Sequence, residues 1–435
     1  MSTAAAPSLR RNRPYLFLFS AQVISLAGSG ITTVGLALFA YQLVGGESAA
    51  AVIGNALMLR ILAFLLFSQP AGIMADRLNR KRILIAADLI RFGLLALFPF
   101  IDSVWQIYLL IFAINAVTAF FTPAFEASLP DVVGSEHYVK AVSLSRIAVD
   151  VESVASPALA GLLLAAVGLR WLFWFDAITY LVSALLVFLS AIRSTPVIAA
   201  KLRLKSFFAE LAFGTCILLR EVSLRRALLL SFVEATAGAV AIVSTVVYVR
   251  DVLLLGDTAF ALLMAGLGLG STVTALLLSR LSGRYESRSP DQEGRHARQH
   301  RWADSALLIG GMLLGLLLLP GFMQPAVFWF ALLWMFNGAG QALIAIPSST
   351  LLAAHTVSAE RGRAYAAYFA LTHAFWLITY PAVGHATSAF GAPITFTVAG
   401  GVCLLITLMV FITTRQKFVP HVHSDKSSGA NTRFS

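Results

Sequence analysis

Long apolar stretches separated by short polar ones run through the whole chain. A helix needs about 20 mostly apolar residues to cross a bilayer. By that measure the pattern predicts spans over 15–43, 50–74, 83–101, 104–125, 140–167, 171–192, 225–250, 258–281, 304–321, 325–350, 362–389 and 392–414. Continuous runs of this kind exclude the short alternating segments of a membrane β-barrel. The expected fold is an all-α integral membrane protein with twelve transmembrane helices in two six-helix, pseudo-symmetric bundles. The longest polar breaks are 193–224 and 282–303, and the first divides the spans six and six. Within it, KLRLKSFFAELAFGTCILLR sets basic residues around an apolar stretch, as in an amphipathic helix on a membrane surface. The second break, GRYESRSPDQEGRHARQHR, reads as a mobile polar segment. The expected organisation is an N-tail over 1–14, bundles over 15–192 and 225–414 joined by the linker 193–224, and a disordered tail over 415–435. Such a duplicated layout places a substrate near the midplane, between halves that rock around it.

Composition agrees with this picture. The 435 residues are 58% hydrophobic and 12% charged, against about 25% charged in soluble domains. A net charge of +11 would suit a nucleic-acid partner, but the basic residues lie in short clusters between apolar runs, where they set topology. Of the 32 Lys and Arg residues, 27 fall in alternate segments on one side, and only Arg170 and Arg250 on the other. The positive-inside rule then gives an even number of spans with both termini cytoplasmic. The opening SLRRNRPYLFLF leads into a run without a convincing cleavage site, so the first span is expected to be retained. Cys216 and Cys403 stand far apart in apolar stretches and make neither a disulfide framework nor a metal spacing. No HExxH, Gly-rich phosphate loop or Cys/His cluster is found, so neither an enzyme nor a bound cofactor or structural metal is expected.

The segment GIMADRLNRKR (72–82) concentrates five charges in a charge-poor chain. Gly72, Asp76, Arg77, Arg80 and Lys81 have the spacing G-x-x-x-D-R-x-G-R-[RK] and resemble the loop between the second and third spans of the major facilitator superfamily. Asn79 stands where the family has glycine, and Asn tolerates the left-handed turn conformation that glycine favours. The resemblance implies a conformational-switch loop that latches neighbouring helix ends. TPAFEASLPDVV (122–133), SPALAGLLLAAVG (156–168) and FDAITYLVSALLVFLS (175–190) resemble the drug and siderophore exporters of that family, enterobactin exporters and macrolide-efflux proteins among them. Ser156, Pro157 and Gly161 are similar to its fifth-span antiporter motif. AVSLSRIAVDVESVASPALAG resembles the nickel-resistance exporters. The span-four arginine of many family antiporters is absent from 104–125. Together these likenesses imply a monomeric secondary transporter exporting a drug or siderophore-like small molecule at the expense of the proton gradient. The alternative they leave open is an exporter of a divalent metal such as nickel, cobalt or iron.

Charges at membrane depth are candidates for function, because each costs at least about 2.5 kcal/mol to insert. Arg60 lies about 15 Å into span two. Asp150 and Glu152 lie at similar depth in span five, with Arg146 one turn before Asp150 at ion-pair spacing. Glu152 has Arg60 as a possible partner, and Glu234 has no basic neighbour in sequence. These five are the coupling candidates, since a carboxyl removed from water can exchange protons closer to neutral pH. Asp88 and Arg91 read as a structural pair at i,i+3. Asp176 and Glu126 lie close to expected span ends, where hydration makes a charge cheap. Gln22, Thr32, Asn115, Asn337, Gln341 and His373 are uncharged candidates for lining a substrate path, and a lone histidine such as His373 is equally suited to a helix–helix contact. Trp105, Tyr108, Trp171 and Trp174 suit an interfacial belt.

The charge tally makes a direct prediction. In a Cys216→Ser, Cys403→Ser background, a cysteine replacing Asp102 should react with an impermeant maleimide in intact cells, and one replacing Arg77 should not. The reverse pattern would invert the topology.

Overall fold

Backbone polar groups in hydrocarbon have only one another to bond, and in a single chain of apolar runs the helix is the form that satisfies them all. The computed structural model describes residues 9–190, 192, 204–287, 292–356 and 358–415. Its helices are α1 (Arg13–Val44), α2 (Gly46–Arg77), α3 (Arg80–Ala96), α4 (Val104–Val167), α5 (Leu169–Leu189) and α6 (Leu204–Arg220). They continue with α7 (Val222–Val252), α8 (Asp257–Ser287), α9 (Gln292–Leu318), α10 (Val327–His355), α11 (Ser358–Phe390) and α12 (Ala392–Arg415). Among the described residues, nine helical segments are long and apolar enough to cross a membrane. The second arm of α4, the Trp302–Leu318 part of α9 and α11 complete the twelve expected spans.

Four corners of the chain are single glycines in the left-handed region: Gly45 (φ 76°), Gly134 (φ 70°), Gly168 (φ 79°) and Gly391 (φ 84°). A side chain is disfavoured there, and glycine closes a helix end without that strain. Gly134 is the one non-helical residue inside α4, which otherwise runs unbroken through the expected polar break at 126–139. That break is corrected to a bend: helix outside the hydrocarbon needs no apolar face all round. The break at 282–303 is helical on both sides, α8 extending to Ser287 and α9 beginning at Gln292, while residues 288–291 lie outside the described residues. Within the linker, α6 lies against α11, with Gly214 beneath the Arg363 carbonyl and the Arg363 guanidinium 4.1 Å from the Phe213 ring centre. Ala212, Cys216 and Leu219 remain exposed on α6. Residues 1–8, 193–203 and 416–435, including most of both expected tails, lie outside the described residues.

Helices α1–α5 pack as one group and α7–α12 as another, and the two meet chiefly along α2 with α11 and α4 with α8. Small residues make those crossings possible. Gly54 sits against the Tyr380 carbonyl, Gly384 against that of Ala50 and Gly161 against that of Ala261, each leaving no room for a Cβ. The Ala51 N–H donates to Ser388 Oγ at 3.2 Å across the first of these seams. Without a hydrophobic drive between helices in lipid, such backbone proximity is what holds them together.

All three glycine contacts lie toward the end of the bundle remote from the basic loops. A polar lock closes the same end. Tyr41 of α1 donates to Asp251 of α7, Gly46 leaves space for the Asp251 carboxylate, and Arg250 pairs with Asp257 while lying 5.6 Å from the Tyr41 ring centre. Near this lock α7 widens into π-helical turns at Val240–Ser244 and Tyr248–Val252, a form concentrated at functional positions.

Gly161→Leu should force α4 and α8 apart at an overpacking cost of about 1–3 kcal/mol. A lower thermal midpoint in detergent and weaker cross-linking between cysteines placed on α4 and α8 would show it. An unchanged midpoint and cross-link would show that the contact is dispensable.

Candidate functional site

The charged loop after α2 is braced within the first helix group. Asn79 adopts an extended conformation (φ −66°, ψ 108°) and caps α3, its side chain accepting from the Arg82 N–H at 3.1 Å. The left-handed turn expected at this position is therefore corrected to an N-cap, a role Asn fills better than glycine. Arg80 is buried. It donates to the Ala75 and Ala127 carbonyls (3.1 and 2.7 Å) and pairs with Asp131 of α4 at 2.7 Å. Lys81 donates to the Phe188 and Ser190 carbonyls, both at 2.7 Å, placing a cation at the C-terminus of α5, where the helix dipole favours one. Arg77 is exposed, and nothing lies within 4 Å of where a Cβ on Gly72 would stand. The Asp76 side chain is outside the described residues. So are those of Arg146, Asp150, Ser156 and Pro157. Glu152 is half-buried on α4.

A second set of groups converges where the two helix groups face each other. Arg60 of α2 donates to Thr33 of α1 at 2.9 Å and lies close enough to His373 and Tyr380 of α11 to act on both electrostatically. This hydroxyl contact joins α2 to α1 across the first helix group. From the other group, Glu234 of α7 acts on Tyr368 of α11. Ser231, one turn earlier, shares a 2.6 Å hydrogen bond with the Tyr368 hydroxyl. The α7–α11 seam continues with Thr379 donating to the Ala235 carbonyl at 3.3 Å and Trp376 pressed against Gly238. Phe232 meets Phe375 edge to face at 5.3 Å. Helix α11, with Tyr368, Phe375, Trp376 and Tyr380, thus neighbours a cation of one group at Tyr380 and a carboxylate of the other at Tyr368. Hydropathy registered these aromatics only as apolar content, so sequence reasoning singled out His373 alone on this helix. His373 Nδ1 lies 2.8 Å from the Phe369 carbonyl one turn back.

The third cluster is enclosed within the first group. Asp88 and Arg91 form an ion pair, with Ser183 of α5 donating to Asp88 at 2.7 Å. Arg91 also lies between two rings, 4.6 Å from the centre of Phe121 and 4.4 Å from that of Tyr180. Asp176, expected at a hydrated span end, is instead completely buried. Thr32 of α1 donates to its carboxylate, and Gly28 lets α1 pass directly over it. The signal available in the sequence was the stripe Ser25, Gly28, Ser29, Thr32 at helical spacing, opposite a span carrying an acid.

The six uncharged path candidates do not gather in one place. Thr32 turns to Asp176, and Asn115 donates to its own helix at the Ile111 carbonyl (2.7 Å). Asn337 is fully buried on α10 and accepts from Gln341 at 2.8 Å, and Gln22 is buried on α1. Only His373 adjoins the charged interface. Among the described residues, no three His, Cys, Asp or Glu side chains come together as a metal site.

A family model described as the Major Facilitator Superfamily matches residues 18–290 and 300–433. The chain belongs to that superfamily. It is therefore a multi-pass membrane protein of that fold. Macrolide efflux protein A of Streptococcus pyogenes is 30% identical to it over 151 residues, which are 34% of this chain and 36% of that protein. Multidrug resistance protein MdtG of Citrobacter koseri is 27% identical over 195 residues, 45% of this chain and 48% of that one. The chain thus spans less than half the length of these curated relatives. Among solved structures, a POT family transporter in complex with 5-aminolevulinic acid superposes with a TM-score of 0.68 at 13% identity, covering 94% of this chain and 98% of the other. A bacterial homolog of the human lysosomal transporter Spinster gives 0.65 at 14% identity, covering 93% and 98%. These likenesses show the fold, in agreement with the twelve-span reading.

Arg80→Ala should remove the brace between the α2–α3 loop and α4, leaving a half-buried Asp131 without this partner. The expected loss is about 1–3 kcal/mol, read as a lower thermal midpoint in detergent. Arg80→Lys should recover only part of it, because a lysine cannot serve both carbonyls and the carboxylate in the planar fork geometry of arginine.

Proposed function

We propose that this major facilitator protein exports a small organic compound from the cytoplasm, in exchange for protons, by alternating access. The observation that carries the reading is the convergence on the aromatic face of α11 of Arg60 from one helix group and Glu234 from the other. A compound with an aromatic body and a basic nitrogen would meet both ring faces and a carboxylate there, interactions that strengthen away from water. That face favours an organic cargo over a bare divalent cation. The names of the relatives, macrolide efflux and multidrug resistance, point to the same class of cargo. A siderophore-like anionic chelator is the variant in which Arg60 takes the larger part.

The lock at Tyr41, Asp251 and Arg250 defines one state of the cycle, and the proton gradient gives the cycle its direction. With the remote end closed, cargo enters from the side of the basic loops, which the positive-inside rule makes cytoplasmic. Opening the lock and closing the opposite end would then release it outside, with Asp76 and its loop as the latch of that second state. The protein acts as a monomer in a bacterial inner membrane with both termini in the cytoplasm, and the proton gradient supplies the energy.

Expression in a drug-sensitive bacterial host tests this. Cells carrying the protein should accumulate less ethidium, an aromatic cation, or less erythromycin, a macrolide, than cells without it. Glu234→Gln should weaken ethidium export roughly tenfold, the effect of losing one charged contact, at unchanged membrane abundance. Equal accumulation of both probes with and without the protein, alongside altered tolerance of nickel or cobalt, would replace this reading with metal export.

A further inference from the structure

Three ionisable groups are sealed inside the first helix group: Asp88 and Asp176, both 0% exposed, and Arg91, 1% exposed. The groups facing them can be named from every element packed against them. Helix α1 presents the hydroxyls of Ser29 and Thr32, α4 the Phe121 ring, and α5 Ser183, Tyr180 and Thr179. Among the described residues, two acids therefore share one base, with neutral groups around them. Asp88 takes the ion pair and the Ser183 hydrogen bond, whereas among the described residues Asp176 receives the hydroxyl of Thr32, that of Thr179 lying 3.4 Å away and also 2.7 Å from the Asp176 carbonyl. An uncompensated charge in such a site is among the most expensive arrangements a protein can make. A second sign of unused capacity lies next to it. Arg91 Nε is buried and has no hydrogen-bond partner among the described residues.

We infer that Asp176 is the proton-carrying carboxyl of this transporter, with Arg91 as its countercharge. The inference deepens the proton-exchange reading above and rests on it for its role in transport. A hydroxyl both donates and accepts, so Thr32 satisfies Asp176 in either form: it donates to the carboxylate and accepts from the acid. When the proton leaves, the carboxylate is stabilised by Arg91, whose spare Nε–H lies within the same enclosure. The link to cargo runs along α1. Thr32 binds Asp176, and its neighbour Thr33 accepts from Arg60 at the interface. Consecutive residues on a helix point about 100° apart, so one turn of α1 touches the proton site on one side and the cargo site on the other. A shift of α1 on cargo binding is thereby felt at Asp176. Glu234, by contrast, is left to contact the cargo itself.

Infrared titration of the purified protein provides the test without any cargo. The wild type should show a protonated-carboxyl stretch that disappears as pH rises. Asp176→Asn should remove one component of it, and Glu234→Gln should leave that component in place. A spectrum unchanged by Asp176→Asn would overturn the inference. Should that variant fail to fold, Thr32→Val keeps the carboxyl and should shift the frequency and the pH midpoint of the same component; an unmoved component would be equally fatal. In proteoliposomes, Asp176→Asn should lose ethidium transport driven by a pH gradient while keeping gradient-free ethidium counterflow, and Asp176→Glu should restore some of the coupled transport. Coupled transport that survives in Asp176→Asn would refute the inference and leave the exporter reading intact. A wild type that moves neither ethidium nor erythromycin with the gradient would refute the exporter reading, while the infrared result still decides whether Asp176 carries the proton.

Discussion

Hydrocarbon cannot solvate a charge, and the arrangement of this protein follows from where its few charges are allowed to stand. Most of them escape to the loops, where their sign orients the chain. Asp88 and Arg91 stay inside by neutralising each other at the junction of α3, α4 and α5. Arg60 and Glu234 stand near the seam between the helix groups, each beside α11. The same penalty thus produces topology in one place, rigidity in another and a polar seam in a third.

Close helix approach is the complementary requirement, because lipid gives helices no reason to associate beyond contact itself. Gly54, Gly161 and Gly384 bring backbones together at the closed end of the bundle. Gly28 does something different within the first group: it brings α1 over a carboxylate instead of over a carbonyl. Helix α1 consequently has two polar faces, one turned inward to Asp176 and one to Arg60. A helix built this way connects the interior of one group with the surface it offers to the other.

Much of this was legible in the residues alone. The number of spans followed from hydropathy, because apolar length is dictated by bilayer thickness. The Asp88–Arg91 pair followed from i,i+3 spacing, which fixes proximity within a helix. Relations between helices were less accessible. Spacing says nothing about which hydroxyl meets Arg60, and Thr33 belongs to a different span. Asp176 was placed near water because it stands early in its span, but the start of α5 is covered by α1, and only the pairing of the two shows that. Asn79 was judged by its tolerance of a glycine conformation, whereas α3 needed a cap. The polar break around Gly134 misled for another reason: polarity marks exit from the membrane, and a helix continues through such an exit unless its backbone is turned.

The single-residue glycine corners have a mechanical consequence. Gly45, Gly168 and Gly391 are each the whole connection between the helices they join, so each pair can separate no further than one residue allows. Gly45 is followed directly by the residue on which Asp251 of the opposite group rests. Breaking that contact releases α1 and α2 together, as one rigid hairpin. A loop lengthened at position 45 would therefore work like a clutch that slips, leaving α1 and α2 sound and any motion between them unsynchronised.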